Sequence, residues 1–445
     1  MEKVYETYKD SGLNYLGDIP SHWETVKLKY IGEAITGITY SPNDIVDDEN
    51  GLLVLRSSNI QDGKLSLDNN VYVNKEIKEK YLTKIGDILL CSRNGSRNLI
   101  GKNILIDEKV ANETWGAFMT IYRTQHSKFA YYFFNSPIFD ALSSLFLSST
   151  INQLTIGVIN NFILALPPKQ EQTQIAAYLD YHTSKIDALI TKKETLIQKL
   201  QEQRQAVINE AVTKGLNKNV ALKDSGIEWL GDIPAHWSAS YLKRFSEKIT
   251  DGAHHSPKTE LEGKNYVSVK DVDEFGNVDL KGCKKISEDD FELLVRNGCQ
   301  PEIGDVLLTK DGTIGRAAIV ENNDFVILSS LGLIRPKKEI LNEGYLRYFL
   351  ISGLNVTQMY SMIAGAALTR LTIEKIKHLV ITIPPLEEQN EIVSTLDNKI
   401  HQMDITIKEV KTSIQKLKDY RQSLISEAVT GKIDVREWQQ PENKS

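Results

Sequence analysis

The chain is poor in cysteine: three residues in 445, Cys91, Cys283 and Cys299, with no Cys-x-x-Cys pair among them. An odd, scattered set cannot build a disulfide framework and reads as reduced thiols in a cytosol. An excess of positive charge is also missing. Lys and Arg number 53 against 59 Asp and Glu, for a formal net charge of −6 and a pI near 5.9. No global basic field advertises a nucleic-acid partner, although phosphate contacts need only a local patch, which an acidic remainder can hide. No apolar run reaches the roughly 20 residues that cross a bilayer. The N-terminus, with Glu2, Lys3 and Glu6, does not follow the charged-then-apolar secretory pattern. These absences predict a cytoplasmic protein with no membrane partner.

Signatures of resident chemistry are scarce too. There is no Gly-x-Gly-x-x-Gly after a strand, no phosphate loop and no His/Cys cluster at zinc spacing. His254-His255 is the one histidine pair. It lies on a polar loop whose neighbours supply no further ligands, so a surface loop is expected there and no metal.

What is present is repetition. Gly17-Asp18-Ile19-Pro20-Ser21-His22-Trp23 returns as Gly231-Asp232-Ile233-Pro234-Ala235-His236-Trp237. Gly86-Asp87-Ile88-Leu89-Leu90 returns as Gly304-Asp305-Val306-Leu307-Leu308, and Ile100-Gly101-Lys102 as Ile314-Gly315-Arg316. Leu154-Thr155-Ile156 returns as Leu371-Thr372-Ile373, and Pro167-Pro168 as Pro384-Pro385. Each half ends in a long amphipathic stretch. In the later one Val393, Leu396, Ile400, Met403, Ile407, Val410, Ile414, Leu417, Leu424 and Ala428 recur at three- and four-residue steps, a heptad seam broken at Arg421. The earlier one carries Ala176, Leu179, Ile186, Ile190, Ile197, Leu200, Val207 and Ala211, with Thr183, Lys193 and Arg204 as polar exceptions. Each helix should be roughly 65 Å long. Between the shared blocks the halves diverge, notably 38–80 against 253–295 and 103–150 against 317–365.

Length alone asks for two or more domains. The reading is an α+β domain over 1–168, a long helix over 169–215, a second α+β domain over 216–385, a second long helix over 386–431 and a tail over 432–445. Short β-rich runs lie at 52–55, 71–73, 87–90, 266–269 and 306–308, between Gly, Asn and Asp turns. Helical patches fall near 129–147 and 345–362. Each proline pair suits a strand exit leading into a helix, and Glu171, Glu387 and Glu388 favour a helix N-terminus. A helix with one apolar stripe needs a partner, and the other copy is the obvious one. The order of segments then makes the pair antiparallel, an approximate two-fold coiled coil with a domain at each end. Trp23 and Trp237 read as packing where domain meets helix, and Gly101 and Gly315 as turn or close-packing glycines. Arg204 and Arg421 read first as structural pairing and second as contacts to a partner.

The duplicated Gly-Asp-Ile-Pro-x-His-Trp block, the Pro-Pro-x-x-Glu-Gln blocks (Pro167 to Gln172, Pro384 to Gln389) and the Arg-Gln…Glu-Ala-Val-Thr helix exits (Arg204 to Thr213, Arg421 to Thr430) resemble the specificity subunits of type I restriction–modification systems. The likeness covers essentially the whole chain, twice in register. It implies two target-recognition domains, each reading one half of a split double-stranded DNA site. It implies that the helices act as spacer and docking surface for two methyltransferase subunits, and through them for restriction subunits. It also implies no catalysis in this chain, with S-adenosylmethionine, ATP and Mg confined to the partners. The absence of an Asn-Pro-Pro-Tyr-like run, which a resident adenine methyltransferase would carry, agrees. The alternative is a coiled-coil adaptor between two proteins without a DNA role.

Base edges are read by Arg, Lys, Asn, Gln, Ser and Asp side chains, and phosphates by Lys, Arg and backbone amides. Loops beyond shared strands, where the halves diverge, are therefore the candidates. In the first domain these are Ser92, Arg93, Asn94, Ser96 and Arg97, with Arg56, Ser57 and Asn59. In the second they are Lys310, Asp311, Thr313 and Arg316, with Lys270 and Asp271, then His254, His255, Thr369 and Arg370; the Tyr40-Ser41 loop joins the first set. Each could equally be a solvated turn. Inserting one heptad into a single long helix should damage the assembled complex, whereas lengthening both should change the tolerated spacer. Modification of DNA substrates of graded spacer length measures both.

Overall fold

The computed structural model describes residues 4–146, 152–364 and 370–441. The chain folds as two compact units. One comprises Met1–Lys193 with Thr412–Ser445, the other Glu194–Lys411, so both long helices, Lys169–Lys214 and Leu386–Val429, are divided between them.

In the first unit an antiparallel sheet runs in the order Asn103–Leu105, Ile88–Cys91, Met119–Thr124, Gly32–Thr36. The second unit repeats that order with Ala317–Ile319, Val306–Thr309, Leu331–Pro336 and Ser246–Asp251. The registers correspond: Leu89 lies opposite Ile121 and Leu307 opposite Leu333. Every residue of the Ile88–Cys91 and Val306–Thr309 strands is buried, as expected of a central strand covered on both faces. Beside this sheet a smaller one contains a parallel pair, Val54-Leu55 with Thr114-Trp115 in the first unit and Asn265 to Val267 with Phe325 to Ile327 in the second. Leu53, Leu55, Leu89, Cys91, Trp115, Met119 and Ile121 close the core between the two sheets of the first unit.

The five β-rich runs all contain strand, the last extending to Thr309 and the 266–269 run ending in a short 3-10 turn, Val269–Asp271. Each expected helical patch is two helices. Ser127–Phe134 and Pro137–Phe146 are separated at Asn135-Ser136, where Pro137 cannot continue the preceding turn. Glu343–Ile351 and Gly353–Ile363 are separated at Ser352, whose side chain caps the second by accepting from the Asn355 N–H. The helix Glu288–Arg296 has no counterpart among the described residues of the first unit; Ser287 caps it and three acids fill its first turn. Among the described residues no helix is long and apolar enough to cross a membrane.

What fastens the long helices is the same in both units. Trp23 and Trp237 are 0% and 1% exposed. The Trp23 indole donates to Glu171 at 2.9 Å, and the His22 ring lies 2.6 Å from the same carboxylate. The Trp237 indole donates to Glu388 at 3.0 Å, with His236 at 2.8 Å. The next residue is a cap: Gln172 donates to the Pro167 carbonyl and Gln389 to the Pro384 carbonyl. Further along, Tyr132 donates to Asp180 and Tyr348 to Asp397, at 2.6 and 2.7 Å. The far end of the other helix closes on the same tryptophan. A Cβ on Gly431 would come 2.4 Å from Pro20 and 3.3 Å from Trp23, and one on Gly215 would come 3.1 Å from Trp237. Both glycines have positive φ, 70° and 74°, where a side chain would in any case be strained. In each unit, then, one long helix begins where the other ends, and the pairing is antiparallel.

The seam is buried largely as its spacing predicts, including Leu179, Ile186, Ile190 and Ala211, and Leu396, Ile400, Ile407, Ile414 and Leu424. Its two arginine exceptions are paired across the two helices. Arg421 meets Asp187 at 2.9 Å and Arg204 meets Asp404 at 2.8 Å. Replacing Glu171 or Glu388 by Ala leaves a buried indole N–H without its acceptor. Each should cost about 1–3 kcal/mol of stability, read as a lowered denaturant midpoint; an unchanged midpoint would contradict the clamp.

Candidate nucleic-acid interface

The loops singled out in the first domain converge. Tyr40, Ser41, Arg56, Ser57, Ser58, Arg93 and Asn94 line one open cleft of about 1160 Å³, completed by Ile38, Ile45, Phe118, Asn152 and Gln153. The convergence is built by strand order. The Gly32–Thr36 strand leads through Gly37 into Ile38, which bridges Gly116 in parallel. A Cβ on Gly37 would come 2.2 Å from the Trp115 carbonyl, so only glycine lets the chain cross there. Gly252 does the same in the second unit, 1.9 Å from the Ile327 carbonyl, ahead of the Ala253–Leu328 bridge.

The cleft wall is held rigidly. The Phe118 carbonyl accepts from the backbone N–H groups of Ser92 and Arg93, at 3.1 and 3.0 Å, and from the Ser92 hydroxyl at 3.1 Å. Its ring is 57% exposed, and the Arg93 guanidinium lies 5.1 Å from the ring centroid, a cation–π contact. Asn94 donates to the Ser57 hydroxyl at 3.0 Å. Lys102, from the shared Ile-Gly-Lys block, donates to the carbonyls of Ser57 and Ile60 at 2.6 and 2.8 Å; burial holds its ammonium below the usual lysine pKa. Arg56, Lys75 and Arg93 give the cleft a positive rim, since Lys75 reaches the Thr39 carbonyl.

Several expected contact residues have other work. Asn59 is fully buried, donating to the Ser66 carbonyl and the Asn70 side chain while its oxygen accepts from the Arg56 N–H; it shapes the turn that presents Arg56 and Ser57. Ser92 is buried beneath Phe118. Ser96 and Arg97 are exposed but lie outside the cleft lining, with Arg97 donating to the Ser144 carbonyl.

The second unit has a buried charge among its candidates. Lys310, at the position of Ser92, is 1% exposed, with its ammonium 3.2 Å from Asp251 and 3.9 Å from Asp311. In this structure the expected contact residue is turned inward, its ammonium taken up by these two carboxylates. Asp251 also pairs with the exposed His254 at 3.1 Å, and Asp311 with Arg370 at 3.1 Å. His255, Lys270 and Thr313 are exposed. Asp271 caps its own turn by accepting from the Ser268 N–H and hydroxyl. Arg316, like Lys102, holds the neighbouring loop, donating to the Val272 carbonyl at 2.9 Å. Thr369 lies outside the described residues.

Sequence reasoning missed Phe118, Asn152 and Gln153. The last two stand just ahead of the shared Leu154-Thr155-Ile156 block, where divergence could have marked them. Phe118 carries no polar group to mark it as a groove contact. Substituting Lys310 by Met removes the buried cation from Asp251 and Asp311, leaving them only the more exposed His254 and Arg370, and should destabilise the second unit by about 3 kcal/mol. A variant that melts like the native chain would contradict a structural role for the buried pair.

A family model described as the type I restriction modification DNA specificity domain matches this chain twice, over residues 20–199 and 256–416. The chain is 24% identical over 440 residues to the type I restriction enzyme EcoKI specificity subunit of Escherichia coli strain K12, covering 94% of this chain and 91% of that one. It is 28% identical over 451 residues to the putative MjaX specificity subunit of Methanocaldococcus jannaschii, covering 95% and 96%. In shape it is similar to a solved chain from work on complex assembly and conformational transition of the type I R-M system, with TM-score 0.65 and 15% identity over 92% of this chain and 98% of that one. With the duplicated frame and a family-model match in each half, the chain belongs to the type I restriction–modification DNA specificity family.

Proposed function

We propose that each unit reads one half of a split, asymmetric DNA site, and that the chain confers this specificity on methyltransferase subunits docked to it, and through them on restriction subunits, in the cytoplasm. The observation that carries the reading is the contrast between frame and lining. Strand order, register, crossover glycine and helix clamp repeat in both units, while the residues gathered at the loop cluster do not. Variation confined to an exposed cleft marks a recognition surface, because folding constrains the frame and leaves the lining free.

The electrostatics fit a duplex partner. The first cleft is rimmed by arginine and lysine despite the net charge of −6, a local patch of the kind that phosphate contacts require. In the second unit His254 and Arg370 pair with the two aspartates that flank the buried Lys310, and Lys270 is exposed. The chain supplies recognition; modification and cleavage, with their S-adenosylmethionine, ATP and Mg, belong to the partner subunits.

The test is binding of the chain, assembled with its methyltransferase subunit, to duplex pools of defined sequence. Specific retention of molecules sharing two short unlike elements at fixed spacing is expected. Retention that is indifferent to sequence, or assembly with protein partners and none with DNA, would favour an adaptor instead.

A further inference from the structure

One backbone bridge recurs at the mouth of both loop clusters with its side chains exchanged. In the first unit Arg93 bridges Gln153; in the second Asp311 bridges Arg370. The surrounding hydrogen bonds are the same: Leu154 N–H to the Ser92 carbonyl at 2.8 Å and Leu371 N–H to the Lys310 carbonyl at 2.9 Å. The bridges are thus one position of the fold, carrying an arginine on one strand in the first unit and on the opposite strand in the second. The structure assigns these arginines, Arg93 and Arg370, as the residues that each read a guanine in their own half-site. The assignment rests on the reading that each unit binds half of a split site.

Each arginine is oriented by a neighbour that differs between the units. Arg93 lies over the exposed Phe118 ring, 5.1 Å from its centroid; stacking fixes the plane of a guanidinium while leaving its edge free. Arg370 has its Nε 3.1 Å from Asp311, an ion pair that tethers a guanidinium whose side chain is still 41% exposed. Asp311 is in turn flanked by the buried Lys310, so the aspartate is balanced from below. A guanidinium with a fixed plane and a free edge matches the O6/N7 edge of guanine in the major groove. A phosphate contact needs only charge, and would gain nothing from an orienting aspartate that weakens the local field.

The experiment uses the full chain assembled with its methyltransferase subunit, and duplexes in which each base pair of the native site is replaced in turn. Arg93→Gln should erase discrimination at a single G·C pair of one half-site, roughly tenfold or more, and leave the other half-site untouched. Arg370→Gln should do the same in the other half only. Phe118→Leu and Asp311→Asn keep the arginines but remove what orients them, and should weaken discrimination at the same two base pairs without altering the salt dependence of binding. Uniform loss over all sequences with a shallower salt dependence, or loss spread over both halves, would overturn the assignment. A native complex with no split-site preference would overturn the underlying reading instead.

Discussion

The contact on which the rest depends is a carboxylate at the first turn of each long helix, gripped by a buried tryptophan and a histidine. A 46-residue helix with a single apolar stripe has no intrinsic reason to leave a globular domain in one direction. Glu171 and Glu388 supply that reason. Each ties the helix start to an indole N–H that has been removed from water and therefore demands an acceptor. The adjacent glutamine closes the turn on a proline carbonyl, and a tyrosine reaches an aspartate two turns on. The glycine ending the other helix fits against the same tryptophan because nothing larger can. Direction, pairing and antiparallel sense follow from this one junction.

A junction made the same way twice releases the remainder of each domain from the task of holding the helices. The central sheet keeps its order and register, and its Asp87–Arg123 and Asp305–Arg335 ion pairs, at 2.7 and 2.8 Å, link strand entrance to strand exit in both units. Beyond that frame the loops change in length, charge and secondary structure. Ser92 becomes Lys310, Arg93 becomes Asp311 and Gln153 becomes Arg370 at matched places. Such freedom is what a family reading different sequences needs: recognition altered without altering assembly.

The frame was legible in the sequence because it is made of local, periodic or repeated signals. Heptad spacing marks the helices, and block repetition marks the domains. The loop cluster was legible in outline, since loops that follow shared strands and then diverge do come together. Individual roles were less so. Lys310 resembles a surface lysine until Asp251 and Asp311 fold around it, and the Asp251 contact is long-range. Asn59 resembles a reading residue, yet its amide is spent on its own turn. Phe118 carries no polar signal at all; its importance comes from a carbonyl that pins the opposing loop and a ring left in solvent. For Lys310 and Phe118 the deciding contact joins residues far apart in the chain, which pattern and spacing do not report; for Asn59 it lies within the turn itself.

The lining is interchangeable cargo on a fixed frame, and one chimera tests that directly. Residues 253–381 would be replaced by residues 38–164, so that both crossover glycines and both final strands now bracket the same lining. Mapping the DNA sites modified by a complex built on this chain should reveal a target whose two halves are the same sequence, equal to one half of the native site. A target that kept two unlike halves would contradict the account.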